Sequence, residues 1–131
     1  MPQYASTPER KRILERYPDY AVEIREASGH FRVTLDDAII AESDRALEVH
    51  ESFHEVVIYL PLDAVRPGVL EASDHCTHCP FKGDASYYSV RAGDARVENA
   101  AWSYETPMAE VAGLAGHLAF YPERLQIVRG D

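Results

Sequence analysis

Apolar and polar residues alternate along much of the chain after residue 30, which is typical of β-strands that bury one face. Phe31, Val33 and Leu35 alternate with polar neighbours, and the pair Asp36-Asp37 separates them from the mainly apolar segment at residues 38–42. This pattern predicts a β-hairpin. Similar short runs predict further strands at residues 46–50, 56–60, 85–91, 95–102, 119–121 and 125–128.

A helical pattern precedes these strands. Ser6-Thr7-Pro8-Glu9 has the form of a capping box with proline in the first turn. Ile13, Leu14 and Tyr17 then follow at helical spacing, and Pro18 ends the pattern. We therefore predict one short N-terminal helix.

The remaining segments complete a mainly β fold class. Residues 18–30 are interpreted as a connection, and residues 108–114 as a helical turn. We predict a helical strap and linker at residues 1–29, followed by a single compact antiparallel β domain at residues 30–131.

Length, composition and charge restrict the classes of partner that the protein is expected to bind. The chain has 131 residues, the size of one ordinary domain, and a formal charge of −9. Such a charge repels phosphate backbones and anionic lipid, so neither nucleic acid nor membrane is an expected partner. The N-terminus has no apolar signal region, and no apolar run approaches the roughly 18 residues that span a bilayer. A cytoplasmic location is predicted, no cofactor is expected, and a homo-oligomer is left open.

Reactive side chains are concentrated at residues 75–90, which contain both cysteines, two of the six histidines and one of two lysines. An ammonium group at Lys82 would favour the ionised, nucleophilic form of a thiol at Cys79. If the protein is an enzyme, Cys79 would be the nucleophile, Lys82 the stabilising cation, and His78 or His75 the proton carrier.

Two simpler interpretations compete with this one. Cys76 and Cys79 have the spacing of half a zinc site, but no second cysteine pair exists to complete it, so no metal site is predicted. Alternatively, Cys79 is an inert core thiol and Lys82 is paired with an acidic neighbour. The exposure of these two side chains distinguishes the interpretations.

Aromatic and polar residues on the predicted strands can complete a pocket, because tyrosine and tryptophan combine an apolar body with a polar group. The glycine beside Lys82 would let backbone N–H groups approach a ligand. The predicted ligand-binding residues are Tyr59, Asp63, Gly83, Tyr87, Trp102 and Tyr104.

Five blocks of sequence resemble a small bacterial and fungal family of unknown function, sometimes labelled nucleotidyltransferase-like. The resemblance covers residues 30–128, and its most specific part is the Cys-Pro-aromatic-Lys-Gly block. The blocks are Thr34-Leu35-Asp36, Tyr59-Leu60-Pro61-Leu62-Asp63, Thr77-His78-Cys79-Pro80-Phe81-Lys82-Gly83-Asp84-Ala85-Ser86-Tyr87, Asn99-Ala100-Ala101-Trp102-Ser103-Tyr104 and Gly116-His117-Leu118-Ala119-Phe120-Tyr121-Pro122.

The resemblance implies a β-tent fold akin to the zinc-binding Mss4-like group, without the two paired knuckles of that group. It brings no established reaction. Cys76 stands where the family pattern leads us to expect a small hydroxyl residue, which argues against a shared metal-binding role. The residues on signature positions are Cys79, Lys82, Gly83, Ala85, Tyr87, Trp102 and Tyr104.

The leading hypothesis is a small domain that binds a small polar or anionic molecule around Cys79 and Lys82, with thiol-dependent catalysis left open. A nucleotidyltransferase is one alternative, although that chemistry needs clustered carboxylates for Mg²⁺ and a phosphate-binding loop. A zinc-binding module or a structural interaction module is the other alternative.

Overall fold

The computed structural model of the protein describes residues 8–130. Its helix and strands are α1 (Pro8–Arg16), β1 (Val22–Glu26), β2 (His30–Leu35), β3 (Ala38–Ser43), β4 (Leu47–Glu51), β5 (Val57–Pro61), β6 (Leu70–Cys79), β7 (Gly83–Ala92), β8 (Ala95–Ser103), β9 (His117–Phe120) and β10 (Gln126–Gly130). Short 3₁₀ helices span Leu62–Ala64 and Ala109–Leu114. No helix within residues 8–130 is long and apolar enough to cross a membrane. The short N-terminal helix is confirmed, while Ser6 and Thr7 of its predicted capping box lie outside the described residues.

The strands form two antiparallel sheets. Seven strands pair in the order β1-β4-β5-β9-β8-β7-β6, and three pair in the order β10-β2-β3. Neighbouring strands in both sheets run in opposite directions. The mainly β, antiparallel fold class is therefore confirmed. We call the two assemblies the large sheet and the small sheet.

Two hairpins have turns that explain why their strands pair. Asp36 and Asp37 form the two-residue connection from β2 to β3, with φ angles of 50° and 69°. Positive φ at both central positions matches the twist of an antiparallel pair. The turn from β7 to β8 has Gly93 at its first central position, with φ 60°. Local turn chemistry thus sets both predicted hairpins.

The large sheet is buried on both faces, and each face has its own core. One face packs against the small sheet, and its core includes Phe31, Val33, Ile40, Leu60, Val90, Leu118 and Phe120. The opposite face packs beneath the 3₁₀ helix at Ala109–Leu114, through Val111 and Leu114. Alternation along β5 places Leu60 in the first core and Tyr59 in the second. The second face carries the candidate site.

Two strands lie where the sequence analysis predicted none. The interpretation of residues 18–30 as a linker is wrong for β1, which pairs with β4 and packs Val22 and Ile24 against the second core. The second strand is β6, an edge strand with mostly polar, exposed residues that lacks the clear apolar alternation by which a strand is predicted. The large sheet therefore includes residues before residue 30. The division into residues 1–29 and residues 30–131 stays a prediction.

Arg10 attaches the N-terminal helix to the β domain. Its guanidinium donates hydrogen bonds to the Pro80 carbonyl oxygen at 3.3 Å and to Glu110 Oε2 at 3.1 Å, and it lies 3.2 Å from the Met108 sulfur. It also lies over the Phe81 ring, 4.9 Å from the centroid. The helix is therefore anchored beside the turn that connects β6 to β7.

Replacing Asp36-Asp37 with Asn-Gly should raise the free energy of unfolding by about 0.5–1 kcal/mol, because Asn and Gly adopt positive φ at lower cost than Asp. Urea denaturation measures the change. Asp94→Gly is the matched control, since Asp94 occupies the other two-residue turn and does not have positive φ. An equal gain from the control would contradict the explanation.

Candidate functional site

A cavity of about 420 Å³ opens on the second face of the large sheet. Cys79 and Lys82, the two residues predicted to centre a site, both line it. Among residues 8–130, the lining residues are Val49, Glu51, His54, Glu55, Val57, Tyr59, Cys79, Lys82, Tyr87, Trp102, Tyr104 and Tyr121.

Lys82 reaches the cavity from the turn between β6 and β7. Cys79 pairs with Gly83 at the end of that hairpin, so residues 80–82 form the connecting loop. The Lys82 backbone N–H donates to the Cys79 carbonyl oxygen at 3.3 Å, and the Lys82 carbonyl accepts from the Met108 N–H at 3.0 Å. Only 9% of the lysine is exposed. The ammonium group is thus held inside the protein by a backbone fixed on both sides.

Gly83 serves the packing of the chain rather than the cavity. Its φ is 114°, which favours glycine, and an added Cβ would lie 3.4 Å from the Thr106 carbonyl oxygen and 3.6 Å from the Met108 nitrogen. The glycine therefore lets residues 106–108 pack close to the turn. It does not line the cavity.

The ammonium group of Lys82 is paired with Glu51, the last residue of β4. Lys82 Nζ donates to Glu51 Oε1, and the Tyr20 hydroxyl donates to Glu51 Oε2. The Lys82 and Glu51 side chains are 11% and 10% exposed. Buried charges need both a partner and further hydrogen bonds, and here each carboxylate oxygen has a donor.

This ion pair joins distant parts of the large sheet. Three strands, β5, β9 and β8, lie between β4 and β7. In a flat sheet the four steps from β4 to β7 would span about 19 Å, at about 4.8 Å per step, which exceeds the combined reach of a lysine and a glutamate. The large sheet therefore curves, so that the end of β4 and the β6–β7 turn meet at the cavity.

The charge on Glu51 is stabilised by its partners. Burial acts to raise the pKa of the Glu51 carboxyl, but the hydrogen bonds from Lys82 and Tyr20 and the attraction of Lys82 oppose it. The pKa of Glu51 is lowered overall. Glu51 is therefore an anion at neutral pH and does not act as a proton donor there.

Two tyrosine hydroxyls are available inside the cavity. The Tyr59 oxygen accepts a hydrogen bond from Trp102 Nε1 at 3.1 Å, which leaves its own proton to donate. The Tyr104 hydroxyl has no hydrogen-bond partner in the described part of the chain, and its ring lies 5.8 Å from Lys82 Nζ. Among residues 8–130, the one sealed side-chain polar atom without a partner is Asn99 Oδ1, so the Tyr104 oxygen is open to the cavity.

The tyrosines keep their protons. Burial is the largest cause that raises the pKa of Tyr59 and of Tyr104 above the ordinary value. Burial, followed by the Tyr87 hydroxyl, raises the pKa of Tyr121 to about 12. All three residues therefore present neutral O–H groups to the cavity at neutral pH.

The two cysteines lie on opposite faces of β6. Residues 76–79 pair in regular register with residues 83–86, so their side chains alternate between the faces. Cys79 lines the cavity, whereas Cys76 is exposed. Two thiols on opposite faces of one strand cannot bind the same ion, and no three His, Cys, Asp or Glu side chains within residues 8–130 are grouped to hold a metal.

Six of the nine predicted site residues meet at the cavity: Cys79, Lys82, Tyr59, Tyr87, Trp102 and Tyr104. His78, Asp63 and Gly83 do not line it. His78 Nδ1 lies 2.7 Å from Asp84 Oδ1, on the face of β6 that Cys79 does not share. Asp63 lies in the 3₁₀ helix after β5 and is paired with Arg45 at 3.3 Å. The roles of the six residues that meet remain predictions.

Sequence analysis missed the residues that complete the cavity from the β4–β5 connection. Glu51, His54 and Glu55 line it, and His54 Nδ1 lies 3.8 Å from Glu51 Oε2. The period of two along β4 could have identified Glu51, because Val49 faces the second core and the residue two positions later shares that face. Tyr20, which donates to Glu51, had no such signal.

The charge balance of the cavity is acidic. In the part of the chain that the structure describes, Lys82 is the one lysine or arginine that lines it, and Glu51 neutralises that charge at close range. Glu55 adds a second carboxylate. An anion entering the cavity would therefore meet more negative than positive charge.

Comparison with known proteins identifies a family whose function is unknown. The sequence model of DUF427, described as a domain of unknown function, matches residues 23–131. Its short label, NTP_transf_9, agrees with the nucleotidyltransferase-like label noted from the sequence. No curated protein matches the chain significantly. The resemblance inferred from the sequence blocks is confirmed at the level of the family.

Lys82→Met should lower the free energy of unfolding by about 3–5 kcal/mol, because it leaves Glu51 buried without its cation. The double variant Glu51→Leu with Lys82→Met should lose less than the sum of the two single variants. Arg45→Met is the control, since the Arg45–Asp63 pair is 73% and 75% exposed and should contribute about 1 kcal/mol or less. Additive losses at positions 51 and 82, measured by urea denaturation, would contradict the buried pair.

Glu51 should also make stability depend on pH. Because its folded-state pKa lies below the ordinary 4.5, ionised Glu51 stabilises the fold above that value, and the contribution is lost as the pH falls through the lowered pKa. The wild type should therefore exceed Glu51→Gln in stability by a constant amount above about pH 5, and by less at lower pH. Urea denaturation of both proteins across this range measures the difference, and a gap that widens on acidification would refute the assignment.

Proposed function

This chain belongs to the DUF427 family, a domain of unknown function, and we propose that it binds a small polar molecule in the cavity around Lys82 and Cys79. The observation that carries the proposal is that Lys82 is only 9% exposed and yet lines an open cavity. Its ammonium group and the neighbouring tyrosine hydroxyls have hydrogen-bond donors that the protein does not use. An ion pair that served stability alone would not need such a cavity beside it.

The unused donors indicate the chemistry of the ligand. Lys82 has three N–H groups, of which one is directed to Glu51. Tyr59 and Tyr104 each have an O–H group without an acceptor in the described part of the chain. A carbonyl, amide or similar oxygen on the ligand would accept from this set. The apolar faces of Trp102 and the tyrosine rings would contact the body of the ligand.

An uncharged ligand fits this cavity better than an anion. The sequence left both classes open, since Lys82 alone could recognise an anion. Glu51 offsets the lysine charge, and Glu55 adds a negative charge at the same cavity. We therefore propose a neutral, oxygen-bearing molecule rather than a phosphate or a dicarboxylate.

Catalysis at Cys79 would be an extension of binding. The thiol lines the same cavity as the donors, so a bound carbonyl group could lie beside it. Any proton transfer to or from the thiol would fall to His54, the histidine that lines the cavity, and not to His78. Binding remains the primary proposal.

The alternatives from the sequence receive less support. Nucleotidyl transfer uses clustered carboxylates to hold Mg²⁺, and no such cluster occurs within residues 8–130. A zinc module would need Cys76 and Cys79 on one face of β6. The two antiparallel sheets support the proposed β-tent, Mss4-like assignment, and the charge of −9 supports the proposal that nucleic acid is not a partner.

Alkylation of Cys79 tests the proposed cavity chemistry. The probes are iodoacetamide and iodoacetate, which have the same size but differ by one negative charge. In Cys76→Ser protein, folded Cys79 should react with both reagents. The ratio of its rate with iodoacetamide to its rate with iodoacetate should be severalfold higher than the same ratio for the exposed Cys76, measured in Cys79→Ser protein. The preference should arise because Glu51 and Glu55 repel the anion.

Tyr104→Phe in the Cys76→Ser background should slow the reaction with iodoacetamide, because it removes a donor for the amide oxygen. Mass spectrometry of the modified peptides gives all the rates. Two outcomes would overturn the proposal: labelling of Cys79 only after unfolding, or a preference for iodoacetate at Cys79 relative to Cys76.

A further inference from the structure

A second concave region lies directly beside the cavity. This region, which we call the outer groove, has a volume of about 370 Å³. It shares five lining residues with the cavity: His54, Glu55, Val57, Trp102 and Tyr121. Each volume lies within the range of about 300–1,000 Å³ found for ligand sites. The two regions are therefore neighbouring parts of one surface, divided by Trp102 and Tyr121, whose rings lie 4.5 Å apart.

The outer groove differs from the cavity in chemistry. Its remaining residues are mostly apolar: Val56, Ile58, Phe120, Pro122, Glu123 and Ile127. Val56 is 47% exposed and lies in this mostly apolar lining, so the groove presents apolar surface to water. Neither the two cores nor the polar cavity accounts for this exposure. A ligand that covered Val56 would remove it from water.

We propose that the ligand of this protein is amphipathic, with an uncharged polar head in the cavity and an apolar tail along the outer groove. This inference rests on the proposed function, since the donors at Lys82, Tyr59 and Tyr104 would hold the head. Trp102 and Tyr121 would contact the point where head and tail join. The ligand class is an aliphatic or aryl-substituted carbonyl or amide compound.

The charges around the groove restrict the tail. Glu55 and Glu123 both line it, and no lysine or arginine of the described residues 8–130 does so. An anionic tail would meet carboxylates of like charge, while a neutral hydrocarbon would bury apolar surface at a gain of about 0.8 kcal/mol per methylene. A free fatty acid is therefore disfavoured at either end of the site, and a neutral compound of similar length is favoured.

A series of primary amides tests the inference, with acetamide, butanamide, hexanamide and octanamide as the probes. Affinity should rise along the series by up to about fourfold per methylene, the factor that corresponds to full burial of one CH₂ group. Trp102 is the one tryptophan in the chain and lines both regions, so its fluorescence reports binding. Octanoate should bind more weakly than octanamide.

Two surface valines provide a matched pair of variants. Val56→Asp places a charge in the outer groove and should remove most of the gain from acetamide to octanamide, while leaving acetamide affinity unchanged. Val128→Asp is the control, because Val128 is 48% exposed and does not line either region. It should leave the whole series unchanged.

A variant in the cavity that would hold the polar head distinguishes the proposed function from the proposed tail site. Tyr104→Phe should weaken all four amides by the same factor, because it alters only the head contact. Equal affinity for all chain lengths, or a gain in affinity with chain length that persists in Val56→Asp, would contradict the proposed tail site. Neither result would contradict the proposed function. If no amide binds, or if Tyr104→Phe has no effect on any of them, the proposed function itself is overturned.

Discussion

A buried ammonium group requires a counter-charge, and Lys82 obtains one from Glu51 across the curved face of the large sheet. The two residues belong to parts of the sheet that are separated by three strands, so their contact requires the curvature that forms the cavity. Tyr20 fixes the second oxygen of Glu51, and the backbone around Lys82 is tied to Met108. The same interaction thus joins two distant parts of the curved sheet and places a polar group at the cavity between them.

The fold and the site are linked through alternation along the strands. Tyr59, Tyr87 and Cys79 face the cavity because they occupy alternate positions of β5, β7 and the end of β6, while their neighbours face the first core or solvent. The small sheet covers the opposite face, and the second face is shared between the 3₁₀ helix at Ala109–Leu114 and the cavity. The cavity therefore combines rigid strand positions with two loops, which supply Lys82 and His54.

The features predicted from the sequence were those encoded locally. Phe31, Val33 and Leu35 revealed β2 through a period of two, and the cluster at residues 75–90 supplied Cys79 and Lys82. Prediction failed where tertiary context decides. β6 is a polar edge strand without apolar alternation, and Lys82 meets Glu51 only because the large sheet curves. No single-sequence pattern contains the pairing of β5 with β9, or of β2 with β10, because these strands are far apart in the chain.

The most direct measurement is nuclear magnetic resonance of the lysine side chains, because Lys11 and Lys82 are the two lysines of the chain. Protein labelled with ¹⁵N-lysine should give one ammonium signal whose protons exchange slowly with water, assigned to Lys82 by its loss in Lys82→Met. That protection should disappear in Glu51→Gln, since the charged acceptor is gone. Two rapidly exchanging signals in the wild type, or protection that is unchanged in Glu51→Gln, would contradict the buried ion pair and the cavity chemistry built on it.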